Sequence, residues 1–486
     1  MDPAFLAALE RIVARPGGAS GLVRDASELA TYESDGLARL RATPGAVVVP
    51  DTAAEVQQII RLCHAHRVPF VARGHGTGLS GGALPVKDGV VIALTRLNRI
   101  LEVDIPNERV VVEPGVMNLD VTRAVAPHGF YYAPDPSSQV ICSIGGNVAE
   151  NSGGAHCLKY GFTVHHVLGV EAILPDGELV HLGGAALDAP GLDLLGVLVG
   201  SEGTLAVVTK VTLRILRAPE RVRTLLAAFN STGEAGAAVS AIIAAGIIPA
   251  AVEMMDRLTI EAAEAAVHPG FPNAEAVLIV ELDGAAAEVD ARFPEVEAVC
   301  LGAGATEVQV AADATARARF WKGRKAAFAA MGRVSPSYYV QDGVIPRTKL
   351  PEVLDRIRAL ASRSGLRIGN VFHAGDGNLH PLVCYDEAIE GQGELAERVA
   401  AEILTYCLEA GGSITGEHGV GADKAYQMPK MFTEDDLDTM QLVRCAFNPL
   451  NLANPGKVFP TPRLCGEVPG PYRAHPAERA GLAERF

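Results

Sequence analysis

Apolar residues along this chain fall into short runs separated by glycine and proline, and the runs follow two different periods. Residues 46–50 (AVVVP) are a brief apolar run that predicts a strand. Thr52 and Glu55 then form a T-x-x-E capping box, behind which Val56, Ile59, Ile60 and Cys63 recur at helical spacing. VPFVAR, the GVVIAL run after residue 89 and ERVVVEPGV near residue 108 read as further short strands. Around residue 215 the texture changes. Residues 225–300 are alanine-rich and predict helix, strand, helix and strand, the last being AVLIVEL at 276–282. Helices are expected over 351–364 and 393–410, with a hairpin, GLRIGNVFHAGDGNLHPLVCY, between them. Ala235 to Val252 carries no charge and approaches the length of a membrane span. Ser240, Gly246 and Pro249 interrupt it, so a buried helix followed by a strand is expected.

A chain of 486 residues, 49% of them hydrophobic, is too long for one ordinary core. The pattern predicts two α+β domains, 1–215 and 216–440, and a proline- and charge-rich surface tail over 462–486. The 51 glycines and 30 prolines cluster between apolar runs, as in a loop-rich globular protein rather than a disordered one. A formal net charge of −15 opposes nucleic acid as a partner. The eight cysteines, at 63, 142, 157, 300, 384, 407, 445 and 465, form no C-x-x-C. Neither a zinc ribbon nor an iron–sulfur cluster carried by this chain is expected, and the scatter fits reduced, cytosolic thiols. The first residues, MDPAFLAALERIVARPG, have early acids and no long apolar core, and do not read as a signal peptide. No transmembrane segment is expected.

The densest feature of the first half is Arg73-Gly74-His75-Gly76-Thr77-Gly78-Leu79-Ser80-Gly81-Gly82. It contains both G-x-G-x-x-G and G-x-S-x-G, yet both patterns need a helix to start at the loop, and ALPVKDG follows instead. What remains is a turn of exposed main-chain N–H groups that could close on a pyrophosphate; on this loop alone a plain tight turn explains it equally well. A second segment runs from Pro134-Asp135-Pro136-Ser137-Ser138 into Ser143-Ile144-Gly145-Gly146-Asn147-Val148-Ala149-Glu150-Asn151-Ser152-Gly153-Gly154, and a third is Gly200-Ser201-Glu202-Gly203-Thr204-Leu205.

The order RGxGT, PDPSS…SIGGNxAENSGG and GSEGTL resembles the FAD-binding domain of the vanillyl-alcohol oxidase type, and the resemblance extends to about residue 460. It implies an α+β two-domain flavoprotein, with this FAD-binding domain followed by an α+β cap domain containing an antiparallel sheet. It also implies FAD contacts from Arg73, Gly74, His75, Gly76, Thr77, Gly78, Ser80 and Gly81, then Pro134, Asp135, Ser137, Ser143, Gly145, Gly146, Asn147, Asn151, Ser152 and Gly153, and Glu202, Gly203 and Thr204. FNPLNLANPGK, within 441–461, is expected to fold back to the flavin, bringing Asn454 and Lys457. Some members attach flavin through a histidine where this chain has Thr77, so non-covalent FAD is expected. His75, two positions earlier, reads as structural.

Most of the 13 histidines call for no special role. His64 and His66 end a predicted helix, and His165 with His166 reads as a satisfied structural pair. His373-Ala-Gly-Asp376-Gly377-Asn378-Leu-His380 is different. With Asp376-Gly377 as a type I′ turn, His373 would face His380 across a ladder, close enough to share a divalent metal or simply to line a hairpin. GGSITGEHGVG, residues 411–421, adds Glu417 and His418. Two histidines and one glutamate leave coordination positions open, as catalytic metal sites do.

HxGDGNLH and GEHGVG also resemble the C-terminal domain of FAD-linked 2-hydroxy-acid dehydrogenases, in particular the glycolate oxidase and D-lactate dehydrogenase branch. That resemblance implies a metal held by His373, His380 and Glu417, with His418 as the base. Zinc, manganese and iron all suit such ligands. Asn378 of the same motif is a further catalytic candidate. Arg324 is the first choice to grip a substrate carboxylate, with Tyr339 and Lys349 as weaker candidates nearby. The expected activity is FAD-dependent oxidation of a small D-2-hydroxy acid, glycolate or D-lactate. The resemblance further implies a separate iron–sulfur subunit as electron acceptor. The chain would be cytoplasmic, reaching the inner membrane only through such a partner. Two competing readings are a metal-dependent hydrolase and a flavin-carrying subunit without catalysis of its own.

Overall fold

A computed structural model of the chain describes residues 1–18, 20–186 and 191–460. The tail expected over 462–486 lies outside the described residues. The first half rests on two sheets. One has the strand order Leu22–Val23, Ala46–Val48, Val90–Ala93, Phe70–Arg73, the last three running parallel. The helix Ala53–His66 lays Val56, Ile59, Ile60 and Cys63 into the same core as Val48, Phe70 and Ile92. Thr52 Oγ1 accepts from the Glu55 N–H (3.2 Å), but the Glu55 carboxylate takes the Asp51 N–H (2.7 Å) instead of closing the capping box on Thr52.

The second sheet is antiparallel, in the order Ile100–Asp104, Arg109–Val112, Val207–Arg214, Val167–Ile173, Leu179–Gly183. Val112, Val170, Val211 and Leu213 share its core with Ile144 and Val148. Those two belong to the helix Ile144–Glu150, which carries the second glycine segment and whose start Ser143 caps. The sheet therefore fixes where that segment points.

The cap is one large antiparallel sheet whose main path is Glu307–Val310, Arg221–Phe229, Ala276–Gly284, Ala251–Asp256, Ile368–His373, Asn378–Leu379, Gly343–Val344. Its central strands are buried on both faces. Leu225, Ala227 and Phe229 enter one core with the helices Thr232–Ala244 and Leu350–Ser364; Leu226 and Ala228 enter another with Arg257–Val267 and Ala314–Ala330. The uncharged stretch after Ala235 thus lies within a buried helix and the strand Ala251–Asp256. After the helix Glu434–Phe447 the chain rejoins the first sheet: the Phe70 N–H donates to Leu452 O and the Asn454 N–H to Phe70 O, each at 2.8 Å.

No helix among the described residues is long and apolar enough to cross a membrane. Cys63, Cys142, Cys157, Cys300, Cys384 and Cys407 are free and buried. Cys445 is disulfide-bonded, which corrects the expectation of reduced thiols throughout.

Candidate active site

The three glycine segments converge on one cleft with about 1370 Å³ of empty space, including solvent at its mouth. Arg73, Gly74, His75, Gly76, Thr77 and Gly78 line it from the first loop. Ser137, Ser143, Gly145, Gly146, Asn147 and Ser152 line it from the second, and Glu202 and Gly203 from the third. The loops approach so closely that a Cβ on Gly74 would overlap Ser143 Oγ. His75 corrects the structural reading: it faces the cleft, and its Nδ1 is buried without a hydrogen-bond partner. Arg73 Nη1, Asn147 Nδ2 and Glu150 Oε2 are likewise buried and unpartnered. Polar atoms left this way call for a polar ligand.

Other expected contact residues do not line the cleft. Asn454 donates to Gly82 O (2.8 Å) and Glu202 O (2.6 Å), and Lys457 donates to Leu84 O (3.0 Å) and Asn454 Oδ1 (3.1 Å), so the returning segment braces the loops from behind. Asn151 accepts from the Val164 N–H, Thr204 donates to Ser201 O, and Pro134 O accepts from Asn118. Ser80 O accepts from the Asp423 N–H, and Gly81 packs near Leu40 and Ala422. Gly153 lies against Glu417, and Asp135 lines a smaller neighbouring cavity.

The histidine hairpin forms with a different register from the one expected. His373 pairs with Asn378, not His380, across a four-residue turn. A type I′ turn needs positive φ at both central residues, and only Gly377 (φ +80°) has it; Asp376 instead accepts the Asn378 N–H (3.1 Å). His380 lies two residues beyond Asn378 and so shares its face. The imidazoles still meet edge to face, 5.1 Å apart. Glu417 Oε1 is 3.2 Å from His373 Nε2 and 3.0 Å from His380 Nε2. The ligand atoms of these three residues all lie within 4.8 Å of one another. His418 stacks on His380 at 5.0 Å, and Glu417 and His418 also line the cleft.

Burial opposes charge throughout this cluster; partners outweigh it at His373 and Glu417, and it prevails at His418. The carboxylates of Glu253 and Glu417 outweigh burial at His373 and raise its pKa well above the ordinary value. The same imidazole holds Glu417 well below its usual range against burial. His418 is pushed down to about 4, chiefly by burial.

Residues to which the sequence reading gave no role complete the site. Asp342 accepts from the N–H groups of Gly416 (2.9 Å), Glu417 (3.2 Å) and His418 (2.9 Å), and so holds the GEHG main chain. Glu253 and Glu281 are carboxylates flanked by apolar residues within buried strands (AVEMMD and AVLIVELDG), which is the signal that could have found them. Glu150 fills the space between Gly82 and Gly419; burial first, then Glu202, raises its pKa well above the usual range.

Arg324 is 2% exposed, bonds Glu253 through Nε (2.6 Å), leaves Nη2 unpartnered, and lines the smaller cavity beside His373. Asn378 is buried near Gly416, with Oδ1 unpartnered. The weaker candidates are corrected. Lys349 sits at the exposed start of the helix Leu350–Ser364, ion-paired with Glu352 (2.9 Å), and the Tyr339 hydroxyl is engaged by Asp423. Nearness in sequence brought neither into the cleft.

Residues 44–183 match the FAD binding domain family, and residues 218–458 match the family of FAD linked oxidases, C-terminal domain. The glycolate oxidase subunit GlcD of Escherichia coli (strain K12) is 52% identical over 90% of this chain and 88% of its own length. GlcD of Bacillus subtilis (strain 168) is 40% identical over 88% and 92%, and a D-lactate dehydrogenase of Anaerostipes hadrus is 32% identical over 86% and 90%. In fold, the chain is similar to p-cresol methylhydroxylase (TM-score 0.79, 16% identity, 94% of this chain and 96% of that one). It is also similar to the 4-ethylphenol oxidase of Gulosibacter chungangensis (TM-score 0.78, 17% identity, 95% and 97%). With the first two glycine segments and the imidazole cluster inside matched ranges, and relatives up to 52% identical over most of both chains, this chain belongs to the FAD-linked oxidase family.

Proposed function

We propose that the chain oxidises a small D-2-hydroxy acid, glycolate or D-lactate, to the 2-oxo acid. FAD would be held non-covalently in the cleft, and a divalent zinc, manganese or iron ion by His373, His380 and Glu417. One observation carries this: Glu417 belongs both to the His373–His380–Glu417 donor set and to the wall of the cofactor cleft, which His418 lines beside it. The unpartnered buried polar atoms along the cleft fit a polar cofactor, and two imidazoles with one carboxylate fit a metal with open positions. Thr77 at the attachment position supports non-covalent binding.

When bound, flavin supplies a hydride acceptor and the metal a Lewis acid for the substrate oxygen. The remaining steps belong to side chains. Arg324 holds the substrate carboxylate through its unpartnered Nη2, with Glu253 fixing the guanidinium at Nε. His418, whose Nε2 lies 3.9 Å from Glu417 Oε1, takes the hydroxyl proton as hydride leaves carbon. Asp342 keeps the His418 main chain in place during that transfer.

Electrons leave to a separate acceptor, for which we propose an iron–sulfur subunit; the relatives named as subunits support a partner. A cytoplasmic location, with membrane contact only through that partner, belongs to the same proposal. The purified chain should be yellow and bleach anaerobically with glycolate, D-lactate or D-2-hydroxyglutarate. A yellow chain that bleaches with none of them overturns the proposal, as does a colourless chain that takes up no FAD.

A further inference from the structure

Glu253 sits in the middle of the strand Ala251–Asp256, 1% exposed, with Val252 and Met254 in one hydrophobic core and Met255 in the other. A lone carboxylate there is costly unless its oxygens are used. Both are. Oε1 lies 2.7 Å from His373 Nδ1, and Oε2 accepts from Arg324 Nε at 2.6 Å. The first contact follows from sheet register, since Glu253 and His373 are direct partners on neighbouring antiparallel strands. The second comes from the helix Ala314–Ala330, packed across that face.

A carboxylate can only accept, so His373 Nδ1 must carry the proton. The nitrogen left to face the cluster is Nε2, the one 3.2 Å from Glu417. The same carboxylate takes the Nε–H of Arg324, while Nη2 remains buried and unpartnered beside the small cavity shared with His373.

From this we infer that Glu253 is a positioning residue coupling two functions: it sets which nitrogen of His373 is offered to a metal, and, by holding Arg324 at Nε, it aims the unpartnered Nη2 at the substrate carboxylate. This deepens the proposed function and rests on it. Glu253 touches neither substrate nor cofactor in this role. It acts through His373 and Arg324 together, so one substitution should disturb both metal binding and anion binding.

The test uses the FAD-loaded full chain, stripped with a chelator and titrated with Zn²⁺ alone in a calorimeter, for the wild type and Glu253→Gln. Zn²⁺ affinity should fall by ~10–100-fold, as for other outer-shell partners of metal-bound histidines. With metal saturating, KM for the 2-hydroxy acid should rise by ~10-fold or more, the loss expected when a charge-assisted contact goes. Flavin occupancy and its absorption spectrum should be unchanged. If wild type takes up no Zn²⁺, the metal reading fails; if wild type binds and Glu253→Gln binds as tightly, Glu253 has no positioning role. Should Glu253→Gln not fold, proton NMR of the unaltered protein decides. A far-downfield, exchange-protected imidazole proton, lost in His373→Asn, is expected, and its absence overturns the assignment of the proton to Nδ1.

Discussion

His418 and Glu417 are neighbours in sequence but differ in electrostatic setting: one is stripped of solvent and kept neutral, the other is held anionic by imidazoles. His418→Ala should keep the yellow colour and slow anaerobic bleaching by ~10²–10⁴-fold, the usual contribution of a positioned base. Stopped-flow absorbance measures this, and an unchanged rate would remove His418 from that role. Asp342 supplies order rather than chemistry. Its Oδ2 accepts from three main-chain N–H groups and from the Thr415 hydroxyl (2.6 Å), which ties the GEHG main chain to the strand region beside His380 and His418. Asp342→Asn weakens charge-assisted bonds worth roughly 1.5–3 kcal/mol each. Its expected signature is weakened Zn²⁺ binding with full flavin occupancy, read by calorimetry and absorbance. Loss of flavin with intact Zn²⁺ binding would place its effect elsewhere.

At the level of elements, the histidine hairpin shows how a motif can be recognised while its geometry is misjudged. Asp-Gly invites a two-residue turn, but the chain spends four residues there, and Gly377 alone takes the left-handed conformation. A Cβ at Gly377 would meet the main-chain oxygen of Ile345, which cannot swing aside as a side chain could. Gly377→Ala is therefore expected to destabilise the protein by ~1–3 kcal/mol. It should also loosen the cluster, lowering both the chemical-denaturation midpoint and Zn²⁺ affinity. A variant as stable as wild type would mean that the turn relaxes at no cost.

Across the whole molecule, the two domains meet through a polar seam. His156 lies between Asp135 (Nδ1, 2.8 Å) of the first and Glu281 (Nε2, 3.4 Å) of the second, stacked on Trp321, while Lys159 and Tyr160 reach Asp283 (2.5 and 2.8 Å). Burial disfavours the His156 charge, but Asp135 and Glu281 outweigh it and raise the pKa from 6.5 to about 10. A folded pKa above the unfolded one means that the folded state holds the extra proton. This stabilisation is complete below about pH 6.5 and fades as pH rises toward 10. Thermal midpoints followed by flavin fluorescence should fall over that window in wild type and fall less in His156→Gln; equal slopes would show that His156 contributes nothing.

The strands and helices read from periodicity were legible because periodicity is local, and the two-domain flavoprotein plan and the residues of the imidazole cluster were legible through the motifs' family resemblance. Glu253, Asp342 and His156 were not. A lone Glu in AVEMMD says only that something must pair with it, and which strand lies alongside, in which register, depends on packing hundreds of atoms at once. The same holds for Lys349 and Tyr339, which sequence proximity favoured and folding turned away, and for Asn454 and Lys457, which brace the cleft from behind its wall. The sequence by itself settled which chemistry-bearing residues the protein carries. Only tertiary structure decided which oxygen meets which nitrogen, since hydrogen bonds and ion pairs act over a few ångströms and those distances exist only after the sheets have closed.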